Sequence, residues 1–367
     1  MQFYDFKEIE ERVILIGVQT EQDEDVAASL DELEELAATA GAVTVGKVIQ
    51  NREAVHPGTY IGKGKIEEVA ALLAAYDANG VICDDELSPA QMNNLERELD
   101  CKVMDRTLLI LDIFAGRATT SEGKIQVELA QLRYRSARLV GLRESLSRLG
   151  GGIGTRGPGE KKLETDRRLI RTRISALKAE LAQVEKHREL IRGKRTRGNL
   201  KTAAIVGYTN AGKSTLLNTL TGAGILAEDK LFATLDPTTR VLELKDGQQI
   251  LLTDTVGFIR KLPHHLVEAF KSTLEEAKYA DYIIHVVDAS NPQAELQIHT
   301  VYETLRELGA TGKKIITLLN KQDQVQGESL RDFRADYTVK CSARTGEGLE
   351  ELKDVLAKLL AESQIYL

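Results

Sequence analysis

Eight consecutive residues constrain this chain more than any others: Gly207-Tyr208-Thr209-Asn210-Ala211-Gly212-Lys213-Ser214 fits the pattern G-x-x-x-x-G-K-[ST]. The apolar run Ala203–Val206 precedes the octet, and a helical pattern begins at its end. A loop between a strand and a helix is the setting this pattern needs. Glycines let the backbone wrap phosphate oxygens, and consecutive amides at a helix N-terminus present partial positive charge to them. Lys213 then reaches the β- and γ-phosphates, Ser214 completes a magnesium shell, and Thr215 adds a nucleotide contact beside it.

Further motifs follow in order. Asp254-Thr255-Val256-Gly257 comes directly after the strand-like run Ile250–Thr253. A carboxylate there is expected to hold magnesium through water, and the Gly257 amide to face the γ-phosphate. Asn320-Lys321-Gln322-Asp323 ends the run Ile315–Leu319. Asp323 suits guanine, accepting from N1–H and the exocyclic amine. Adenine presents an acceptor at N1, and the unsatisfied carboxylate costs about 1–3 kcal/mol. Lys321 is expected to lie over the base, and in Ser342-Ala343-Arg344 the Ala343 amide to face guanine O6.

The stretch Leu231–Arg240 shows no strand period and reads as a loop that orders around a triphosphate. Phe232, Ala233, Thr234, Leu235 and Asp236 are its expected nucleotide contacts. Thr234 is the favoured ligand for magnesium and sensor of the γ-phosphate, with Thr238 or Thr239 as the alternative. Lys213, Thr234 and Gly257 are the expected catalytic groups. Phe258 follows Gly257, where many regulatory GTPases carry a glutamine that orients the attacking water. Phenylalanine has no group for that task, which predicts slow GTP hydrolysis alone and stimulation by a partner.

At roughly 150 residues per domain, 367 residues predict two to three domains. Residues 1–116 alternate apolar strands (Val13–Val18, Val43–Ile49, Val81–Cys83, Lys102–Met104) with helical patterns, one opened by Ser88-Pro89. They read as a small, largely parallel α/β domain. Residues 198–367 read as a doubly wound P-loop GTPase domain, with helices from Gly212, about Pro263, Pro292 and Gly348. Between them, residues 117–197 carry apolar positions seven apart: Ile125, Leu132, Leu139 and Leu146, then Leu163, Ile170, Leu177, Val184 and Ile191. Two such helices predict an antiparallel hairpin. Its tip, 150–159, holds six glycines and Arg156 and is long for a mere turn, so it is expected to probe a partner. A polar stretch, Arg195–Gly198, is expected as the linker.

Charge is segregated. Residues 1–116 carry 9 Lys/Arg against 24 Asp/Glu, residues 117–200 carry 21 against 9, and the remainder carries 19 against 23. An acidic chain with one strongly basic segment points to a polyanion partner. Arg156, Lys161, Lys162, Arg167, Arg168 and Arg171 are the expected RNA contacts, with Arg173 nearby. Tyr134 is the only aromatic in 117–200, which favours structured RNA read by phosphates and shape over stacked single strands. Thr59–Lys65 is glycine-rich but lacks the full octet spacing, and reads as a turn opening a helix, with a phosphate or RNA contact as the alternative. His56, His264 and His265 have no metal-ligand spacing. Cys83, Cys101 and Cys341 stand far apart in apolar settings and read as buried thiols. No apolar run nears the roughly 18–20 residues of a membrane span, and the start of the chain has no secretory pattern.

FATLDPTTR at 232–240 and DTVGFI at 254–259, with GGIGTRGPGE at 151–160 and TYIGKGK at 59–65, resemble the HflX ribosome-binding GTPases, within the translation-factor-like P-loop GTPases. The resemblance spans essentially the whole chain. It implies a magnesium-dependent GTPase that binds the large ribosomal subunit and its rRNA through the N-terminal domain and hairpin. The glycine-rich loop would point toward the peptidyl-transferase region, and some members split stalled ribosomes. The implied state is monomeric and cytoplasmic, with peripheral ribosome or membrane association. Many members carry a further C-terminal domain, for which little chain follows the helix Leu349–Ala361.

Overall fold

The computed structural model describes residues 10–21, 25–149, 158–197, 200–222, 231–232, 235–261, 266, 271–325 and 330–365. Two compact units emerge, Met1–Gly116 with Val127–Lys178, and Arg117–Gln126 with Ala179–Leu367. The helical hairpin is therefore divided between them.

In the first unit, Val13–Val18 form an uninterrupted buried run within β1 (Arg12–Gln19). A parallel strand covered on both faces has that pattern. Sheet order is β2 (Val43–Asn51), β1, β3 (Gly80–Cys83), β4 (Lys102–Asp105), all parallel. Parallel neighbours need crossovers, supplied by α1 (Val26–Thr39), α2 (Lys63–Tyr76) and α3 (Pro89–Leu99); α4 (Arg106–Arg117) follows the last strand. Ser88 and Gln91 form a reciprocal capping box with Pro89 in the first turn of α3, as the sequence signalled. Gly62 opens α2, so Thr59–Lys65 is the turn it was read as. His56 is occupied in that turn, its Nδ1 accepting from the Thr59 amide at 3.1 Å.

Buried charge closes this unit. Arg106, 1% exposed, pairs with Asp84 and Glu32, each at 2.7 Å. Asp105 accepts from the Leu87 and Leu108 amides at 3.1 and 2.8 Å. It also accepts from Tyr134 at 2.8 Å and Arg138 at 2.5 Å, both on α5 (Ser121–Leu149). Those bonds seat the hairpin on the sheet. Helix α6 is described from Pro158 to Arg197. Glu128 of α5 binds Arg173 of α6 through two bonds of 2.7 and 2.8 Å, and the Leu139 carbonyl accepts from Arg167. One index rises as the other falls, so the helices run antiparallel. Leu129 and Leu177 are buried in the seam, while Ile125, Ile170 and Ile174 are half-buried.

The second unit holds a six-stranded sheet: β10 (Tyr337–Lys340), β9 (Lys314–Asn320), β8 (Tyr282–Asp288), β5 (Lys201–Gly207), β7 (Gln249–Asp254) and β6 (Thr238–Glu243). Only β6 runs antiparallel, along the edge beside β7. Helices α7 (Lys213–Thr221), α8 (Lys271–Tyr279), α9 (Ala294–Glu307) and α10 (Leu349–Ile365) intervene or follow. Ile205, Leu216, Leu252, Ile284, Leu318 and Leu352 share one apolar core.

Several boundaries differ from expectation. The edge strand β6 begins at Thr238, so Thr238, Thr239 and Arg240, read as the end of a loop, belong to a strand. An edge strand tolerates polar residues because one side remains uncovered. Arg195–Arg197 are helical rather than linker. Arginine and lysine sustain a helix without an apolar signal to announce it. The helix expected from about Pro263 is described from Lys271, and Pro263, His264 and His265 lie outside the described residues. The glycine-rich tip 150–157, with Arg156, lies outside them also.

Candidate functional site

The ends of β5, β7 and β9 meet at the phosphate loop. Gly207 closes β5, with φ +155° and a Cβ position 2.2 Å from the Val286 carbonyl, so no side chain fits there. Gly212, at φ +98°, begins α7 and would place a Cβ 2.3 Å from Asn320 Nδ2. These are the two points where the octet cannot be anything but glycine. Asn210 also takes a left-handed conformation, φ 60°.

Lys213 is buried, and its ammonium donates to the carbonyls of Gly207 at 3.1 Å and Tyr208 at 2.7 Å. Burial pulls its pKa down to about 8, opposed by the nearby Asp254 carboxylate. A lysine cradled by the loop that it serves is pre-positioned for phosphate. Ser214 Oγ donates to Asp254 Oδ2 at 2.7 Å, joining the start of α7 to the end of β7. Both are hard oxygen donors, and this pair suits magnesium rather than a softer metal.

Phe258 is buried and locked to the phosphate loop. Its amide donates to Gly207 O at 3.1 Å, and its carbonyl accepts from the Thr209 amide at 2.8 Å. The ring is packing, with no polar atom for water. Gly257 lies between: a Cβ there would sit 2.7 Å from Thr209 Cγ2 and 3.0 Å from Lys213 Nζ. Thr255 is buried, its hydroxyl donating to Ile205 O at 2.8 Å, and Val256 is buried too. These two act as support for the loop; their side chains face the fold.

Around the expected guanine position, Asn320 Nδ2 donates to Ala211 O and its Oδ1 accepts from the Ala343 amide, both at 2.8 Å. The Ala343 amide, expected to face guanine O6, is engaged here by Asn320. Asp323 is exposed beside Gln322, whose amide side chain bonds Leu319 O at 3.1 Å. Lys321 adopts φ 60° and pairs with Asp288 at 2.8 Å. Ser342 is buried and Arg344 exposed.

Of the expected switch contacts, Phe232 and Leu235 are buried, while Ala233 and Thr234 lie outside the described residues. Asp236 points its carboxylate at Thr119 and Thr120, a pairing the sequence reading missed. Thr239, named with Thr238 as the alternative to Thr234, shares a hydroxyl bond with Thr253 across the strand pair at 2.9 Å. On the hairpin, Arg168 and Arg171 are exposed, whereas Arg167 and Arg173 are spent on α5. The Lys161 and Lys162 side chains lie outside the described ones.

Three family models match in series: "GTP-binding GTPase N-terminal" over residues 27–115, "GTP-binding GTPase Middle Region" over 117–195 and "50S ribosome-binding GTPase" over 202–321. The chain is 70% identical to GTPase HflX of Lacrimispora saccharolytica over 364 residues, covering 99% of this chain and 86% of that protein. It is 45% identical to GTPase HflX of Escherichia coli over 355 residues, covering 96% and 83%. Among solved structures it resembles SsGBP in complex with GDP, at TM-score 0.52 and 28% identity, covering 97% of this chain and all of that one.

Proposed function

The chain belongs to the HflX family of GTPases, and from that premise we propose that it binds the large ribosomal subunit in its GTP state and leaves after hydrolysis. Working as a single chain, it would rescue or split stalled ribosomes. The family model spanning the G domain, described as a 50S ribosome-binding GTPase, supports that partner. The observation that carries the reading is the exposed pair Arg168 and Arg171 on a hairpin segment with 21 basic and 9 acidic residues. Local pairing leaves that excess unbalanced, and rRNA phosphates balance it.

Chemistry at the site follows from its donors. Lys213 holds the β- and γ-phosphates, and Gly257 leaves room for the γ-phosphate to approach its amide. Ser214 would hold magnesium directly, Asp254 through water, and Thr234 would complete the set. When bound, the ion neutralises charge developing on the phosphate oxygens. Phe258 supplies no group to orient the attacking water. That orientation falls to backbone or to a group from the ribosome, so turnover is slow alone. Supplying such a group in trans is worth about 10³–10⁵ in rate in related systems.

Co-sedimentation with large subunits, with GDP against a non-hydrolysable GTP analogue and at two salt concentrations, tests this. Binding should favour the analogue and fall steeply with salt. Equal binding with either nucleotide, or insensitivity to salt, refutes it.

A further inference from the structure

Asp236 sits at the end of the switch stretch, yet its carboxylate is occupied far along the chain. Oδ2 accepts from the Thr119 amide at 3.1 Å, the Thr119 hydroxyl at 2.7 Å and the Thr120 amide at 3.0 Å. Oδ1 accepts from the Thr120 hydroxyl at 2.6 Å. Thr120 precedes α5, and its hydroxyl in turn accepts from the Gly123 amide at 2.9 Å, as an N-cap does. Gly123 is itself required: a Cβ there would stand 2.5 Å from Asp236 Oδ1. Burial alone would raise the carboxyl pKa, but the Thr120 and Thr119 bonds hold it below its ordinary value. Asp236 is thus an ionised acceptor at the positive end of a helix.

Both flanks of Asp236 lead to the nucleotide. Thr238, two residues on, begins β6 in register with Asp254. Thr234 lies two residues back, and two residues span at most about 7 Å. Thr238 and the proposed magnesium ligand Thr234 are therefore each only two residues of chain from the clasp.

We propose that Thr119, Thr120 and Gly123 are positioning residues: through Asp236 they tie the switch stretch to the first turn of hairpin helix α5, so that nucleotide state and α5 are coupled. The inference rests on the GTP-gated reading above and names the route of that gating.

Amide hydrogen exchange on the full chain, loaded with GDP or a non-hydrolysable GTP analogue, tests it. Protection at residues 119–124 should differ by roughly fivefold or more between the two nucleotides. The difference should vanish in Gly123→Ala, which favours the helix but evicts the carboxylate, and in the Thr119→Val/Thr120→Val double variant. Thr120→Ser, which keeps the hydroxyl, should retain it. KM for GTP without ribosomes should be unchanged in Gly123→Ala, while stimulation of kcat by large subunits drops roughly fivefold or more. Equal protection with both nucleotides, or stimulation left whole in Gly123→Ala, overturns the clasp. Failure of the ribosome reading looks different: large subunits neither bind nor stimulate the unaltered chain, while protection at 119–124 still follows the nucleotide and upholds the clasp.

Discussion

Asn320 joins the end of β9 to the phosphate loop through one bond of 2.8 Å to the Ala211 carbonyl. Its Oδ1 holds the Ala343 amide at the same distance, so three loops share a single side chain. Asn320→Ala should weaken GDP and GTP alike, by about 1–3 kcal/mol for buried partners left unmet. Calorimetry with both nucleotides checks this. A loss confined to GTP would contradict the staple.

Base choice should instead rest on Asp323, which is exposed beyond that staple. In Asp323→Asn the charged acceptor for the 2-amino group is gone. Preference for GDP over IDP, which lacks that amine, should shrink by about tenfold or more, since bonds to a charged group are worth about 1.5–3 kcal/mol. Competition binding measures the ratio, and an unchanged one counts against the guanine assignment.

Lys213, with its pKa pulled down to about 8 by burial, predicts a proton linkage. Phosphate oxygens favour the charged form and raise that pKa. Near pH 9 the lysine is mostly neutral before binding and charged after it, so GDP binding takes up a proton. Below about pH 7 it is charged in both states and uptake fades. Calorimetry in buffers of different ionisation enthalpy reads the uptake, and Lys213→Met should abolish it.

Stability of the first unit should depend on Arg106, 1% exposed and bonded to Asp84 and Glu32. Arg106→Met leaves the fully buried Asp84 without its counter-charge. A loss of about 3–5 kcal/mol is expected in urea unfolding, since breaking a buried pair strands a charge. Replacing Asp84 by Leu in the same chain should recover part of it.

Strand positions in both sheets were readable to within a residue or two for most elements, because buried parallel strands such as Val13–Val18 and Ile315–Leu319 show as apolar runs. The capping signal Ser88-Pro89 was readable for a similar reason: it is local. The edge strand start at Thr238 and the helical Arg195–Arg197 were not, since polar residues without periodicity leave no such mark.

The phosphate octet, the positions of Asp254 and Asp323 after their strands and the basic hairpin were legible in the sequence alone, because each is carried by contiguous residues. Folding decided the rest. That Ala343 serves Asn320, that Arg173 faces Glu128, and that Asp236 meets Thr119 at a separation of 117 residues depend on where distant elements come to lie. A carboxylate's partner is whichever donor the packed chain puts within about 3 Å of it, and spacing along the sequence does not encode that distance.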